Sequence, residues 1–228
     1  NTKRKGLLYA GTERGMYISF NDGKSWDKFQ LNLPIVPITD LTIKEDNLIA
    51  ATQGRSLWII DDLTPLHQLN TTLTNSDFFI YKPKASYRMG GGRNATSRRN
   101  GTNHYGGVGI NYYLKNYTKK DTIAIRIYDS NKTLVSTHSN YPDKDLKEEK
   151  LKVKEGNNQF YWNMMYKGAE RVKGMILWWA SLSGPMALPG DYAAELSVNR
   201  KVKSQPFTIL KKPNSEASAA DLKAQFDF

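Results

Sequence analysis

Arg14 and Arg55 are the residues of this sequence that best suit anion binding, because they recur in two similar segments. Residues 10–18 align with residues 51–59 at an offset of about forty, which places the two arginines at equivalent positions. A guanidinium binds a carboxylate through two parallel hydrogen bonds, so two such arginines would suit an acidic ligand. We expect each arginine to fix a turn between strands, with anion binding as the alternative.

Asp61 and Asp62, with Asp40 upstream, are the carboxylates that would serve general acid–base catalysis or calcium binding. Hydrolysis of a glycosidic bond needs two carboxyl groups roughly 5–10 Å apart. Neighbouring residues of a strand point to opposite faces, so Asp61 and Asp62 are poor partners for each other. We expect them to cap the end of the second repeat, with ligand binding as the alternative.

The other reactive residue types do not predict a cofactor. The three histidines, His67, His104 and His138, lack the spacing of metal ligands, and the chain has no cysteine. The glycines at 90–92 are not followed by the lysine and hydroxyl residue of a phosphate-binding loop. We therefore predict neither a metal nor a cofactor.

Trp178 and Trp179, close to Gly184 and Pro185, form an aromatic pair with two interpretations. Aromatic rings offer a large apolar face with a polar edge, which would make the pair a stacking platform for sugars. The same apolar area also favours burial. We expect packing in a core or between domains ahead of sugar binding.

The octapeptide Ser-Phe-Asn-Asp-Gly-Lys-Ser-Trp at residues 19–26 predicts a tight hairpin turn. Its glycine supplies a backbone position with positive φ, and either Asn21 or Asp22 can bond neighbouring backbone amides. Trp26 is expected to pack beneath the turn. The residues that define the turn are Ser19, Asn21, Asp22, Gly23, Ser25 and Trp26.

Short strands with tight connections would position these residues. Apolar segments predict two groups of three strands, at 7–10, 16–20, 26–30, 38–43, 48–52 and 56–60. The period of about forty residues is that of a four-stranded propeller blade. Each group lacks one strand, and a propeller has at least about four blades. Residues 1–66 are therefore predicted to be two blades of a larger ring.

The pattern changes after residue 66. Residues 67–107 are polar and glycine-rich, and we interpret them as a linker with a basic loop at 88–99. Residues 108–210 contain about six or seven short strands, which predict a β-sandwich with Trp162 in its core. Residues 211–228 form a tail in which Ser218 and Asp221 predict a helix start. The predicted fold class is all-β with a short C-terminal helix.

The formal net charge of +11 favours anionic partners, which include nucleic acid, acidic glycans and membrane surfaces. The basic residues are dispersed along the chain, and the arginines of 88–99 have no aromatic residues among them to stack on bases. Nucleic acid is therefore an unfavoured partner. No apolar run in the sequence is long enough to span a membrane.

The series of motifs resembles the carboxyl-terminal part of large bacterial BNR-repeat, or sortilin-like, β-propeller proteins, often described as glycosyl hydrolases. The turn at 19–26 is similar to their Asp-box, with Asn21 where the family has aspartate and Ser25 where it has threonine. In this family the last blades precede an immunoglobulin-like sandwich similar to that of flagellar hook-capping proteins. The other similar stretches are Asn32–Pro34, Asp40–Leu41, Ala51–Asp62, Asn158–Asn163, Gly174–Trp178, Pro189–Tyr192 and Gln205–Phe207.

The resemblance implies an exported bacterial protein, periplasmic, outer-membrane-associated or secreted, of which this chain is a fragment whose partners include upstream blades. It implies a module that binds protein or glycan or serves as a scaffold. The alternative that it implies is a sialidase-like glycoside hydrolase, in which an arginine cluster holds a carboxylate and the catalytic residues lie mainly upstream. The candidate ligand-binding residues are Arg14, Arg55, Asp61 and Asp62.

Overall fold

The computed structural model describes residues 3–90, 104–142, 150–170, 172, 174–179 and 181–228. Strands dominate the described residues, with three short helices, so the all-β prediction is confirmed. The chain divides into two compact units, residues 1–69 and residues 70–228.

The first unit contains two antiparallel three-stranded sheets, ordered β1-β2-β3 and β4-β5-β6. Apolar residues on β2 and β5 share one small core with Leu33 and Leu63 from the connecting segments. The elements are β1 (Leu8–Thr12), β2 (Gly15–Ser19), β3 (Asp27–Lys28), β4 (Ile38–Lys44), β5 (Asn47–Thr52), β6 (Leu57–Ile60) and α1 (Thr64–Gln68).

The two predicted groups of three strands are therefore present, and they are offset against each other. In the sequence repeat, the β1–β2 hairpin corresponds to the β5–β6 hairpin. Among the described residues, β4 therefore has no equivalent strand before β1, and β3 has no equivalent strand after β6. Both hairpins are closed by a threonine hydroxyl: Thr12 donates to the Gly15 carbonyl at 3.0 Å, and Thr52 donates to that of Ser56 at 2.6 Å.

The second unit contains a sheet ordered β11-β10-β13-β14-β8 and a sheet ordered β12-β9-β7, whose inward side chains form one core. Ile123, Ile125 and Ile127 alternate along β10 and are fully buried, and Trp162 is fully buried as predicted. The elements are α2 (Thr71–Thr74), β7 (Phe78–Ile80), β8 (Ser86–Tyr87), β9 (Val108–Leu114), β10 (Ile123–Asp129), β11 (Leu134–Ser139), β12 (Gly156–Trp162), β13 (Gly190–Val198), β14 (Lys201–Leu210) and α3 (Ala219–Asp227).

The second unit begins earlier than the predicted sandwich boundary at residue 108. Within the predicted linker, residues 67–107, β7 pairs with β9 and β8 pairs with β14. Arg88, in the predicted basic loop, donates through Nε to the Ala187 carbonyl at 2.9 Å. The other arginines of that loop, Arg93, Arg98 and Arg99, lie outside the described residues.

Residues 151–154 form no strand, and the Asn158 side chain bonds both the amide and the carbonyl of Lys154. The predicted C-terminal helix is confirmed. It begins after Ser218, whose hydroxyl accepts from the Asp221 amide while the Asp221 carboxylate accepts from the Ser218 amide.

Candidate functional site

The hairpin turn at 19–26 is held by the side chains of Ser19 and Asn21. The Ser19 hydroxyl accepts from the Gly23 amide at 2.9 Å, and Asn21 Oδ1 accepts from the Ser25 amide at 2.9 Å. Asp22 and Gly23 both have positive φ, which a tight turn between twisted strands requires. Asn21, rather than Asp22, therefore makes the side-chain hydrogen bonds of the turn, and the Trp26 ring lies against Gly23.

Arg14 and Arg55 both lie exposed in hairpin turns, between β1 and β2 and between β5 and β6. Threonine hydroxyls close these turns, and the Arg55 carbonyl accepts from Trp58 Nε1 at 2.8 Å. Among the described residues neither guanidinium has a hydrogen bond or an ion pair. The arginine side chains therefore do not fix the turns.

Asp62 has a structural contact and Asp61 is exposed. The Asp62 carboxylate accepts from the Thr64 amide at 2.9 Å, at the start of α1, as expected of a residue that caps the end of the repeat. Asp40 accepts from the amide of its own neighbour, Leu41. No group of three or more acidic or histidine side chains in the described residues is arranged to hold a metal ion.

A cluster around Asp46 was not predicted. Asp46 lies in the β4–β5 turn with positive φ, and its buried carboxylate is 2.7 Å from Lys3 Nζ and 3.8 Å from His67 Nδ1. Its carbonyl accepts from the Leu63 amide at 2.8 Å. The cluster links the segment before β1, the β4–β5 turn and α1 within the first unit.

The stability of the first unit is expected to fall in mild acid because of His67. Burial lowers the pKa of His67, and the field of Asp46 opposes this only in part. The unfolded histidine therefore binds a proton at a higher pH than the folded one, so the free energy of unfolding decreases as pH falls below about 6.5. Hydrogen exchange of the β4–β6 amides between pH 7.5 and 5 measures this.

His67→Gln, which keeps a neutral polar side chain, should flatten this pH dependence. An unchanged slope in the variant would assign the effect to another group. His104 and His138 lie in the second unit, so we do not expect their protonation to change the hydrogen exchange of the β4–β6 amides.

The tryptophan pair does not pack in a core. Trp178 is 88% exposed and Trp179 is 98% exposed, so the expectation of core packing is wrong. Both residues lie in a segment without regular secondary structure between β12 and β13. The burial of the two tryptophans was expected from residue type. Their exposure depends on the course of the backbone around them, which residue type does not determine.

The residues best arranged for ligand binding lie on the outer face of the β12-β9-β7 sheet. Successive side chains of a strand point to opposite faces. Val108, Ile110 and Tyr112 are buried in the core, which leaves Asn111 on the outer face. The strand register places Gln159 opposite Asn111. We call this surface the amide–tyrosine face, and its outer residues are Gly109, Asn111, Tyr113, Asn157, Gln159 and Tyr161.

An open groove of about 480 Å³ runs along this face, within the size range of small-ligand sites. Amide side chains and two exposed lysines, Lys152 and Lys154, provide most of its polar groups. The groove is lined by Asn111, Lys152, Val153, Lys154, Asn157, Asn158 and Gln159.

Hydrogen bonds from buried side chains fix the backbone and one amide side chain of the groove. The buried Asn158 amide donates to the carbonyls of Lys154, at 2.7 Å, and Gly156, at 2.9 Å. Tyr81 donates its hydroxyl to Asn157 Oδ1 at 3.3 Å. Burial raises the pKa of Tyr81 to about 12, so this phenol stays protonated and remains a donor at neutral pH. The Asn157 amide nitrogen is thus oriented by a fixed partner.

Stacked rings border the same face. Tyr105 stacks on Tyr161 with ring centroids 4.6 Å apart and an interplanar angle of 27°. The Tyr161 ring covers Gly109 on the neighbouring strand, and a Cβ atom there would lie 3.2 Å from the ring. The Gly109 backbone therefore lets Tyr161 lie flat across the strands, and half-exposed Tyr105 extends the aromatic surface.

Sequence reasoning missed this face because its members are distant in the chain. The signal that was available is the alternation of β9, in which outward positions carry an amide and an aromatic residue. The partner, Gln159, comes from a strand whose register with β9 is set only in the folded state.

The chain matches no protein-family model, and no curated protein matches it. Within the described residues, none of the helices has the length and apolar character needed to cross a bilayer.

Proposed function

We propose that this chain binds glycans through the amide–tyrosine face of its second unit, as a module of an exported bacterial β-propeller protein. The observation that carries the proposal is the groove, in which amides from two paired strands stand beside two lysines. A stacked tyrosine pair adds an aromatic surface on the same face of the sheet. Amide side chains offer both donors and acceptors, which match the hydroxyl groups of a sugar.

The tyrosines and lysines narrow the class of glycan. Tyr161 and Tyr105 offer an aromatic surface for the apolar face of a sugar ring. Lys152 and Lys154 add two positive charges at the groove, so an acidic glycan is favoured over a neutral one. The net charge of +11 acts in the same direction by attracting anionic polymers.

The glycoside hydrolase alternative has less support in the described residues. Hydrolysis needs a pair of carboxyl groups about 5–10 Å apart, and the residues lining the groove include no carboxylate. The Asp62 carboxylate, a candidate from the sequence, accepts a hydrogen bond from the Thr64 amide at the start of α1. Catalysis by this chain would thus depend on groups outside the groove.

The first unit supports the propeller part of the proposal. Its core side chains occupy one face of β5 and β6, so Ile49, Ala51, Leu57 and Ile59 point away from that core. Leu57 is 66% exposed and Ile59 is 56% exposed. In a propeller both faces of an inner blade pack on neighbouring blades. This apolar face therefore fits a further blade of the same polypeptide, and the second unit fits the immunoglobulin-like domain of the related proteins.

The test is binding of the purified chain to an array of acidic and neutral oligosaccharides, followed by titration calorimetry of the best ligand. Asn157→Ala/Gln159→Ala is expected to raise Kd about tenfold, because each lost hydrogen bond contributes about 0.5–1.5 kcal/mol. The matched control is Asn131→Ala/Gln225→Ala, two exposed amide residues in the β10–β11 turn and on α3.

Equal loss of affinity in the control pair, or binding that the groove substitutions leave unchanged, would contradict the proposed site. Release of sugar from the bound oligosaccharide would instead favour the hydrolase. Lys152→Ala/Lys154→Ala should reduce the preference for acidic over neutral ligands.

A further inference from the structure

Basic side chains from two segments meet at the end of the second unit where β10 begins and β13 ends. The loop before β10 and the β13–β14 hairpin are joined there by two hydrogen bonds. The Thr122 amide donates to Asn199 Oδ1 at 2.9 Å, and the Asn199 amide donates to the Thr122 carbonyl at 2.9 Å. We call the exposed basic residues of these two segments the basic end, which comprises Lys119, Lys120, Arg200 and Lys201.

The carboxylate at the basic end is bound by neutral donors. Asp121 accepts from Asn199 Nδ2 at 2.7 Å and from the Thr118 amide at 2.7 Å. These hydrogen bonds lower the pKa of Asp121, so one negative charge stands among four positive ones. Among the described residues, no side chain of the basic end forms an ion pair. The four positive charges are therefore open to an external anion.

A row of three lysines connects the basic end with the groove of the amide–tyrosine face. Tyr141 donates its hydroxyl to the Lys119 carbonyl, and Lys150 Nζ lies 5.8 Å from the centre of the Tyr141 ring. From there the chain alternates, because Leu151 and Val153 pack on the core of the second unit while the lysines around them are exposed. We call these exposed residues, the last two of which line the groove, the lysine row: Lys150, Lys152 and Lys154.

The basic end and the lysine row keep a positive balance when the neighbouring acidic residues are counted. Exposed Glu155 follows the lysine row. Residues 143–149, which precede it, lie outside the described residues and contain two more acidic than basic side chains. Together with Asp121, these negative charges are fewer than the seven positive charges of the basic end and the lysine row.

We infer that the ligand of the groove is a linear, polyanionic glycan that continues along the lysine row to the basic end. This inference rests on the proposed function, because the groove supplies the contacts to sugar hydroxyl groups. A single acidic sugar could meet only the lysines of the groove. A chain with an anionic group on successive sugars can meet charges that are spread over several segments.

The residue types favour a glycan over a nucleic acid as this polyanion. Non-specific binding of single strands combines basic residues with aromatic rings on which the bases stack. The basic end contains no aromatic residue, and the ring of Tyr141 beside it carries Lys150. Lysine is a point charge on a flexible stem, so it suits carboxylate or sulfate groups at varied spacing.

The test is titration calorimetry of the purified chain with a short galacturonate oligomer and with polygalacturonate, and dextran is the neutral comparison. We expect polygalacturonate to bind about tenfold more tightly per site than the oligomer, because several modest charge contacts are added together. Lys119→Gln/Lys120→Gln/Arg200→Asn/Lys201→Gln should remove this advantage and leave the affinity for the oligomer unchanged. It should also reduce the salt dependence of polymer binding, since fewer counterions are released. Asparagine is chosen at 200 because it tolerates the positive φ of that position.

The matched control is Lys132→Asn/Lys211→Gln/Lys212→Gln/Lys223→Gln, which removes the same charge from exposed positions elsewhere in the second unit. Equal weakening of polymer binding by the control would show a general effect of net charge and overturn the inference. Equal affinity of the wild type for the oligomer and the polymer would also overturn it. Tighter binding of single-stranded DNA than of polygalacturonate would assign the basic end to nucleic acid, with the same consequence.

Failure of the proposed function gives a different result. Asn157→Ala/Gln159→Ala would then leave binding of the short oligomer unchanged, whereas the substitutions at the basic end would still weaken binding of polygalacturonate. If both proposals hold, the groove substitutions weaken binding of both glycans and those at the basic end weaken binding of the polymer alone.

Discussion

Trp162→Ala is expected to lower the free energy of unfolding of the second unit by about 3–5 kcal/mol, the loss typical of a large aromatic residue removed from a core. Trp162 is fully buried at the end of β12, with ring centroids 5.9 Å from Tyr192 and 6.2 Å from Phe207. The substitution leaves a cavity between the two sheets and removes the Nε1 bond to the Met165 carbonyl. It therefore weakens both the core and the backbone that follows β12.

Urea denaturation followed by circular dichroism, with hydrogen exchange of the β9, β10 and β13 amides, measures this loss. The control is Leu134→Ala, a half-exposed residue of β11 in the same unit, for which the change should stay within about 0.5 kcal/mol. A Trp162→Ala protein as stable as the control would mean that the two sheets do not share one core.

Leu63→Ala is expected to cost the first unit about 2–5 kcal/mol. Leu63 is fully buried between β6 and α1, and its amide is bound to the Asp46 carbonyl. The buried cluster that contains Leu63 is small, and its other buried members are Met16, Leu33, Leu48 and Ala50. Because native stability is only about 5–15 kcal/mol in ordinary domains, the loss should leave a measurable unfolded population of the first unit.

Hydrogen exchange separates this effect from any change in the second unit. The β2 and β5 amides should lose protection in Leu63→Ala, while the β10 and β13 amides keep theirs. Ile35→Ala, at an exposed position of the same unit, is the control and should behave as the wild type. Loss of protection in both units to the same degree would contradict their separate cores.

Local sequence patterns predicted much of the fold. The alternation of Ile123, Ile125 and Ile127 fixes which face of β10 is buried, because the side-chain period of a strand is two residues. The pairing of Ser218 with Asp221 predicts the start of α3, since a capping box is formed by residues close in sequence. The repeat between residues 10–18 and 51–59 likewise gave two equivalent hairpins.

Features that depend on distant pairing were not predictable in the same way. The apolar residues of β7 indicate a short strand, but the pairing of β7 with β9 and of the two-residue β8 with β14 depends on backbone bonds that residue type does not encode. The groove exists because the β9–β12 register sets Asn111 beside Gln159, far apart in sequence. The tryptophan pair was expected in a core or between domains from its apolar area, whereas both rings are exposed.

The position of β6 at the edge of its sheet affects how the chain behaves in concentrated solution. It ends its sheet, so one side of its backbone is left without a neighbouring strand in that sheet, and its outward side chains are Leu57 and Ile59. A sheet edge with exposed apolar side chains is a template for edge-to-edge association, which native proteins usually block with lysine, proline or a covering element. We therefore expect the β6 edge to be one starting point for aggregation of the isolated chain.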